Sequence, residues 1–112
     1  MKHLKYFKFL SFFILFFIQI QVSNANEIET GRKLFSLNCI ACHKNGQNLI
    51  IPEKNLKKEA LEANGMNTID AIIYQVLNGK NGMPAFGGRL NQSEIAEIAN
   101  YVIKQSLVDF RE

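Results

Sequence analysis

The sequence predicts an all-α domain of three or four helices joined by long loops. Apolar residues recur at helical spacing in separate stretches, start and stop residues bracket those stretches, and the alternation expected of strands is nearly absent. A first helix is expected over about Ile28 to Leu37, with Leu34 and Phe35 turned inward. A second, short one spans about Leu56 to Ala63 and stops at Asn64-Gly65, a common left-handed C-terminal pair. The third begins after Asn67 or Thr68, carries Ile69, Ile72, Ile73, Val76 and Leu77, and ends at Gly79. The fourth starts at Asn91, with Glu94 three residues on as in a capping box. It shows Ile95, Ile98, Val102 and Ile103 on one face and continues toward Leu107. The loop between the last two, GKNGMPAFGGRL, is rich in glycine. Loops this extended pack poorly unless something inside the fold gives them a surface to pack against.

The first 25 residues decide which compartment the rest of the chain sees. Lys2, Lys5 and Lys8 precede an apolar stretch, FLSFFILFFI, and Ser23-Asn24-Ala25 supplies small residues at a cleavage point. That order describes a secretory signal cut after Ala25. About ten apolar residues are too few to span a bilayer, and Gln19 and Gln21 follow at once. The expected division is a cleaved signal over 1–25 and one domain over 26–112, with no membrane span in the mature chain. Three of the 13 basic residues leave with the signal, so ten remain against ten acidic ones. A neutral mature chain gives no argument for a nucleic-acid partner. A domain this small buries a modest core and often relies on a disulfide, metal or cofactor.

Both cysteines and the one histidine of the mature chain fall within Cys39-Ile40-Ala41-Cys42-His43. A thioredoxin-like pair normally opens a helix after a strand, and no βαβ pattern surrounds this one. A structural zinc site lacks a fourth ligand, because His3 leaves with the signal. C-x-x-C-H attaching a c-type haem is the reading that survives. Two cysteines three apart on a turn can each bond one vinyl-derived carbon of the porphyrin, and the next residue, His43, is carried under the iron. Export agrees, since this haem is attached outside the cytoplasm.

Met66 and Met83 are the mature chain's two methionines. Met66 sits at a helix end and reads as a core or surface residue. Met83 lies in Gly82-Met83-Pro84, where proline disfavours helix for the residue before it and glycine permits close approach of the strap. It is the candidate distal ligand, 40 residues after His43. Thioether sulfur favours ferrous iron, so His/Met ligation raises the potential. A filled sixth position leaves no open site for oxygen or peroxide chemistry, which points to a carrier and not an enzyme. The contrasting class is a peroxidase-like enzyme or a ligand-gated sensor in which Met83 dissociates.

The chain resembles cytochrome c6, the small class I cytochrome of cyanobacteria and algal plastids. The likeness runs from Gly31 to about Ser106 and rests on GRKLFSLNCIACH, IPEKNLKKEALEANGM, NGKNGMPAFGGRL and IANYVIKQS. It implies a class I cytochrome c fold of about four helices and long loops around one covalently bound haem c. Cys39 and Cys42 would bind that haem covalently, and His43 and Met83 would be its axial ligands. The implied protein is a monomer of the thylakoid lumen of a plastid, with a cyanobacterial lumen or periplasm as the alternative. It would carry electrons from the cytochrome b6f complex to photosystem I; the alternative is a donor to a terminal oxidase. No transit peptide precedes the expected signal, which points to a plastid-encoded or cyanobacterial gene.

Other positions carry lesser expectations from the same resemblance. Gly31 would let the first and last helices cross closely. Pro52 resembles the proline whose carbonyl accepts the ring N–H of the proximal histidine, with loop rigidity as the alternative. Gln75 would tune the haem potential through a polar contact, or simply belong to a solvated helix face. Arg89 would help dock the partner, or be an ordinary surface arginine. Phe110 stands near the place where many members carry a tryptophan, a residue this chain lacks.

Overall fold

The computed structural model describes residue 8 and residues 25–111. The expected signal lies outside the described residues except for Lys8 and Ala25. Five α-helices carry the described part of the chain: α1 over residues 25–38, α2 over Ile40–His43, α3 over Lys58–Ala63, α4 over Ile69–Asn78 and α5 over Gln92–Ser106. Two 3₁₀ turns, Lys44–Gly46 and Pro52–Lys54, fall in the loop after α2. Among the described residues the only strand-like pairing is an isolated bridge between Lys80 and Met83. No helix of the described residues is long and apolar enough to cross a membrane.

The helix ends follow the local chemistry of the sequence. Thr68 caps α4, its side chain accepting from Ala71 N. Asn91 and Glu94 form a full capping box at α5, in which each side chain accepts from the other residue's backbone N–H. After α3 the chain turns at Gly65, φ 66°, and Met66 N returns 2.7 Å to Leu61 O. This satisfies carbonyls the helix end would leave open. The α3 start is two residues later than expected, because Leu56 is drawn off by a hydrogen bond from its N–H to Gly46 O, 2.8 Å.

The core forms where α1 crosses α5 and α4 packs on α5. Phe35 comes from α1, and Ile95, Ile98, Ala99, Tyr101 and Val102 come from α5. Ile72, Val76, Leu61 and Phe86 complete it. Phe35 and Tyr101 meet with ring centroids 5.3 Å apart. The crossing is close because Gly31 has no Cβ. One placed there would run into the Glu97 backbone carbonyl and lie 2.9 Å from Tyr101 Cβ. Leu34 and Ile73 sit at the edge of this core, while Ile69 and Leu77 of the same predicted stripe stay partly exposed. α4 therefore buries a narrower face than its sequence pattern suggests. The buried face, Ile72 and Val76, is the one that with Gln75 borders the cavity described below.

Candidate functional site

A cavity of about 440 Å³ opens between the α2 segment and the loop that joins α4 to α5. That size falls within the roughly 300–1,000 Å³ of clefts that hold cofactor-sized ligands. Cys39, Cys42 and His43 line one part of it, and Gln75, Met83 and Pro84 another.

The cysteine side is built by one helical turn. Cys42 N and His43 N both reach Cys39 O, at 3.2 and 2.9 Å. Residues three and four apart on a turn share a face, so both sulfurs and the imidazole are presented together. Both thiols are free and half-buried. Burial pushes the Cys39 thiol up to about 11. A redox-active thiol pair needs a depressed value to hold a thiolate at neutral pH. Cys39 is perturbed in the opposite direction, as a thiol set in an apolar wall is.

His43 is oriented by its own loop. Asn45 (φ 55°) and Gly46 (φ 74°) take consecutive left-handed conformations, which fold the chain back on itself. The Gln47 carbonyl then lies 2.9 Å from His43 Nδ1. A carbonyl can only accept, so Nδ1 carries the proton and Nε2 keeps the lone pair that a metal needs. Here the expectation for Pro52 is corrected. Its carbonyl accepts from Asn55 Nδ2 at 3.0 Å, within the 3₁₀ turn it opens, and does not reach His43. The loop is held instead by Asn48, whose Oδ1 accepts from Ile50 N and Ile51 N while its Nδ2 donates to Lys54 O. Gln47 and Asn48 escape sequence reading because their roles lie in one carbonyl and one loop turn. The Asn45-Gly46 pair is the local signal that could have marked the turn.

The methionine side is a strap pinned to the end of α4. Phe86 N donates to Val76 O at 2.8 Å and Gly87 N to Leu77 O at 3.2 Å, using carbonyls of the helix's last turn. Lys80 and Met83 exchange two backbone hydrogen bonds of 3.0 Å across a tight turn in which Asn81 has φ 52°. Gly79, φ 68°, is required here: a Cβ would lie 2.6 Å from Met83 O and 2.7 Å from Ala85 N. The space at Gly82 is taken by Ile50, whose Cδ1 would lie 2.9 Å from an added Cβ. That glycine lets the strap rest on the loop opposite it. Met83 is half-buried against the core. Gln75 Nε2 lies 3.7 Å from Met83 Sδ, a sulfur-accepting hydrogen bond. Gln75 is therefore not simply part of a solvated face; it faces the one thioether of the cavity wall's strap.

Arg89 is exposed at the cavity rim, its guanidinium carbon 4.5 Å above the Phe86 ring. Stacking on a buried ring limits where this charge can point. The structure thus brings together Cys39, Cys42, His43, Gln75, Met83 and Arg89 around one cavity. Two thiols, an imidazole with a free Nε2 and a thioether form a donor set that suits a covalently attached haem. Met66 also lines the cavity and packs on the core. Among the described residues no group of three or more His, Cys, Asp or Glu side chains could hold a bare metal ion.

Comparison with known proteins agrees with this arrangement. The family model described as cytochrome c oxidase, cbb3-type, subunit III matches residues 26–102. Cytochrome c6 of Bumilleriopsis filiformis is 64% identical over 80 residues, which are 71% of this chain and 93% of the relative. Cytochrome c6 of Pyropia yezoensis is 58% identical over 100 residues, 89% of each chain. The solved structure of cytochrome c6 from the diatom Phaeodactylum tricornutum is 50% identical and superposes with a TM-score of 0.71, covering 73% of this chain and 97% of that one. Identity at this level over nearly the whole of the relatives, with the same fold, places the chain in the cytochrome c6 family, with its class I cytochrome c fold and electron-carrier role.

Proposed function

We propose that the chain carries electrons from the cytochrome b6f complex to photosystem I in a thylakoid lumen. A cytochrome c6 holds one covalently bound haem c, which supplies a one-electron iron couple. In this reading Cys39 and Cys42 would hold it through thioether bonds, and His43 Nε2 and Met83 Sδ would be the donors to its iron. The observation that carries the reading is the convergence of these four side chains on one cavity. Gln47 holds His43 in the ligating tautomer and Gln75 holds the thioether, so neither ligand has to reorient as the electron comes and goes. The mass of the mature protein tests the attachment. It should equal residues 26–112 plus one haem, and the haem should survive acid–acetone extraction. An extractable haem, or two titratable thiols, overturns it.

Docking follows from the rim. A mature chain with ten basic and ten acidic residues has no global field to steer it, so recognition rests on local charge. Arg89, held over Phe86 at the cavity mouth, is placed to meet an acidic patch on the partner. Arg89→Glu should slow flash-induced photosystem I reduction several-fold at low ionic strength and leave the potential nearly unchanged. The difference should shrink with salt, because the screening length is about 10 Å at 0.1 M. Equal rates at low salt would make Arg89 an ordinary surface residue.

The match to an oxidase subunit model keeps a second reading in view, delivery of electrons to a terminal oxidase. Oxygen consumption by oxidase-containing membranes, measured beside the flash kinetics, separates the two acceptors.

A further inference from the structure

Residues 107–111 contain the least ordinary backbone of the described chain. Asp109 and Phe110 both have positive φ, 57° and 53°. For a bulky side chain such a conformation is an outlier that costs about 1–2 kcal/mol. It persists only where neighbouring contacts over-determine it. Here Lys57 Nζ pairs with Asp109 Oδ1 at 3.0 Å, and Phe110 N returns to Gln105 O at 2.9 Å. Together they aim the Phe110 ring inward. It meets Phe35 and Tyr101, with centroids 6.0 and 6.5 Å away.

The ring also covers Gly46. A Cβ on that residue would lie 2.5 Å from Phe110 Cδ2 and 2.7 Å from Cγ. Gly46 is buried, stands immediately before Gln47, and its carbonyl accepts from Leu56 N. The ring therefore lies against the backbone turn that delivers the Gln47 carbonyl to His43. With the ring removed, the turn keeps its own hydrogen bonds but loses the surface packed against it.

We propose that Phe110 is a positioning residue for His43, acting through Gly46 and the Gln47 carbonyl. The proposal rests on the reading of His43 as an iron ligand. A plain hydrophobic plug would contribute stability alone; a positioning residue must also alter how the imidazole is held.

The test uses isotopically labelled, haem-loaded protein and NMR. It follows exchange of the His43 Nδ1 proton and the ferric haem methyl shifts, which report the orientation of the axial imidazole. In Phe110→Ala the proton should exchange at least tenfold faster and the methyl pattern should change. Phe110→Tyr, which keeps the ring, should stay within twofold of wild type. Phe110→Leu covers the case in which alanine leaves no folded protein, and should show at least a threefold effect. Ile95→Val, a core change at a residue that does not line the cavity, should lower stability and leave both signals in place. Unchanged exchange and methyl shifts in folded Phe110→Ala and Phe110→Leu would reduce Phe110 to a plug and overturn the proposal. Wild-type protein without a haem-shifted His43 ring would overturn the ligand reading itself, and this proposal with it.

Discussion

Met83→Ala should open the sixth position, lower the reduction potential and let the ferrous protein bind carbon monoxide. The strap itself should survive. Its shape comes from the paired Lys80 and Met83 backbone bonds, the positive φ of Gly79, and the clips from Phe86 N and Gly87 N to α4. None of these uses the methionine side chain. Deleting a buried methionine side chain costs about 2–5 kcal/mol, and a half-buried one less. Thioether ligation favours the ferrous state, so its loss moves the potential down by a measurable share of the roughly 0.8 V that axial ligands span across haem proteins. Gln75→Leu should move the potential the same way by a smaller step. The Gln75 N–H dipole points its positive end at the sulfur and so disfavours the more positive ferric state. A bond worth about 1 kcal/mol corresponds to about 40 mV for one electron. Redox titration and a carbon monoxide spectrum check both variants. Ready carbon monoxide binding by the wild type would show that Met83 is not a firm ligand, and the sensor or enzyme class would gain.

Gly31→Val should cost the most stability of any single-residue change at the helix crossing. Losing a mid-helix glycine gains at most a few tenths of a kcal/mol, since valine is itself a weak helix former. Against that stands a Cβ driven into the Glu97 backbone carbonyl and 2.9 Å from Tyr101 Cβ. A backbone atom cannot swing aside, so α5 must move and carry Tyr101 away from Phe35. Overpacking of this kind costs about 1–3 kcal/mol or more, and the clash wins. For a domain of this size about 2 kcal/mol lowers Tm by roughly 8–16 °C. Gly88→Ala is the contrast: nothing lies within 4 Å of its added Cβ, and its φ lies outside the left-handed range. It should be neutral or slightly stabilising. A thermal melt of the haem-loaded variants decides; a Gly31→Val midpoint equal to wild type would mean the helices can separate at no cost.

Much of this molecule is legible along the chain, because the deciding interactions are short in sequence. Thr68 and Asn91 cap helices through residues three positions on. Asn64-Gly65 ends one, and the Cys39–Cys42–His43 spacing puts two sulfurs and an imidazole on a single turn. The four-residue helix α2 leaves no mark in the sequence, since a turn that short has no apolar period to show. The candidate ligands are legible by type: a histidine directly after a pair of cysteines, and a methionine held before proline. What the sequence by itself determined is therefore the inventory of donors and the helices that bear them.

Only the tertiary structure decided what holds those donors still. Gln47 and not Pro52 receives the His43 ring proton, because two left-handed residues reverse the loop before Pro52 can reach it. Gln75 meets Met83, eight residues further on, because the strap is clipped back onto α4. Phe110 reaches Gly46 across more than sixty positions, which no local pattern records. Such contacts depend on where loops cross in space, and periodicity and capping describe only neighbours along one helix.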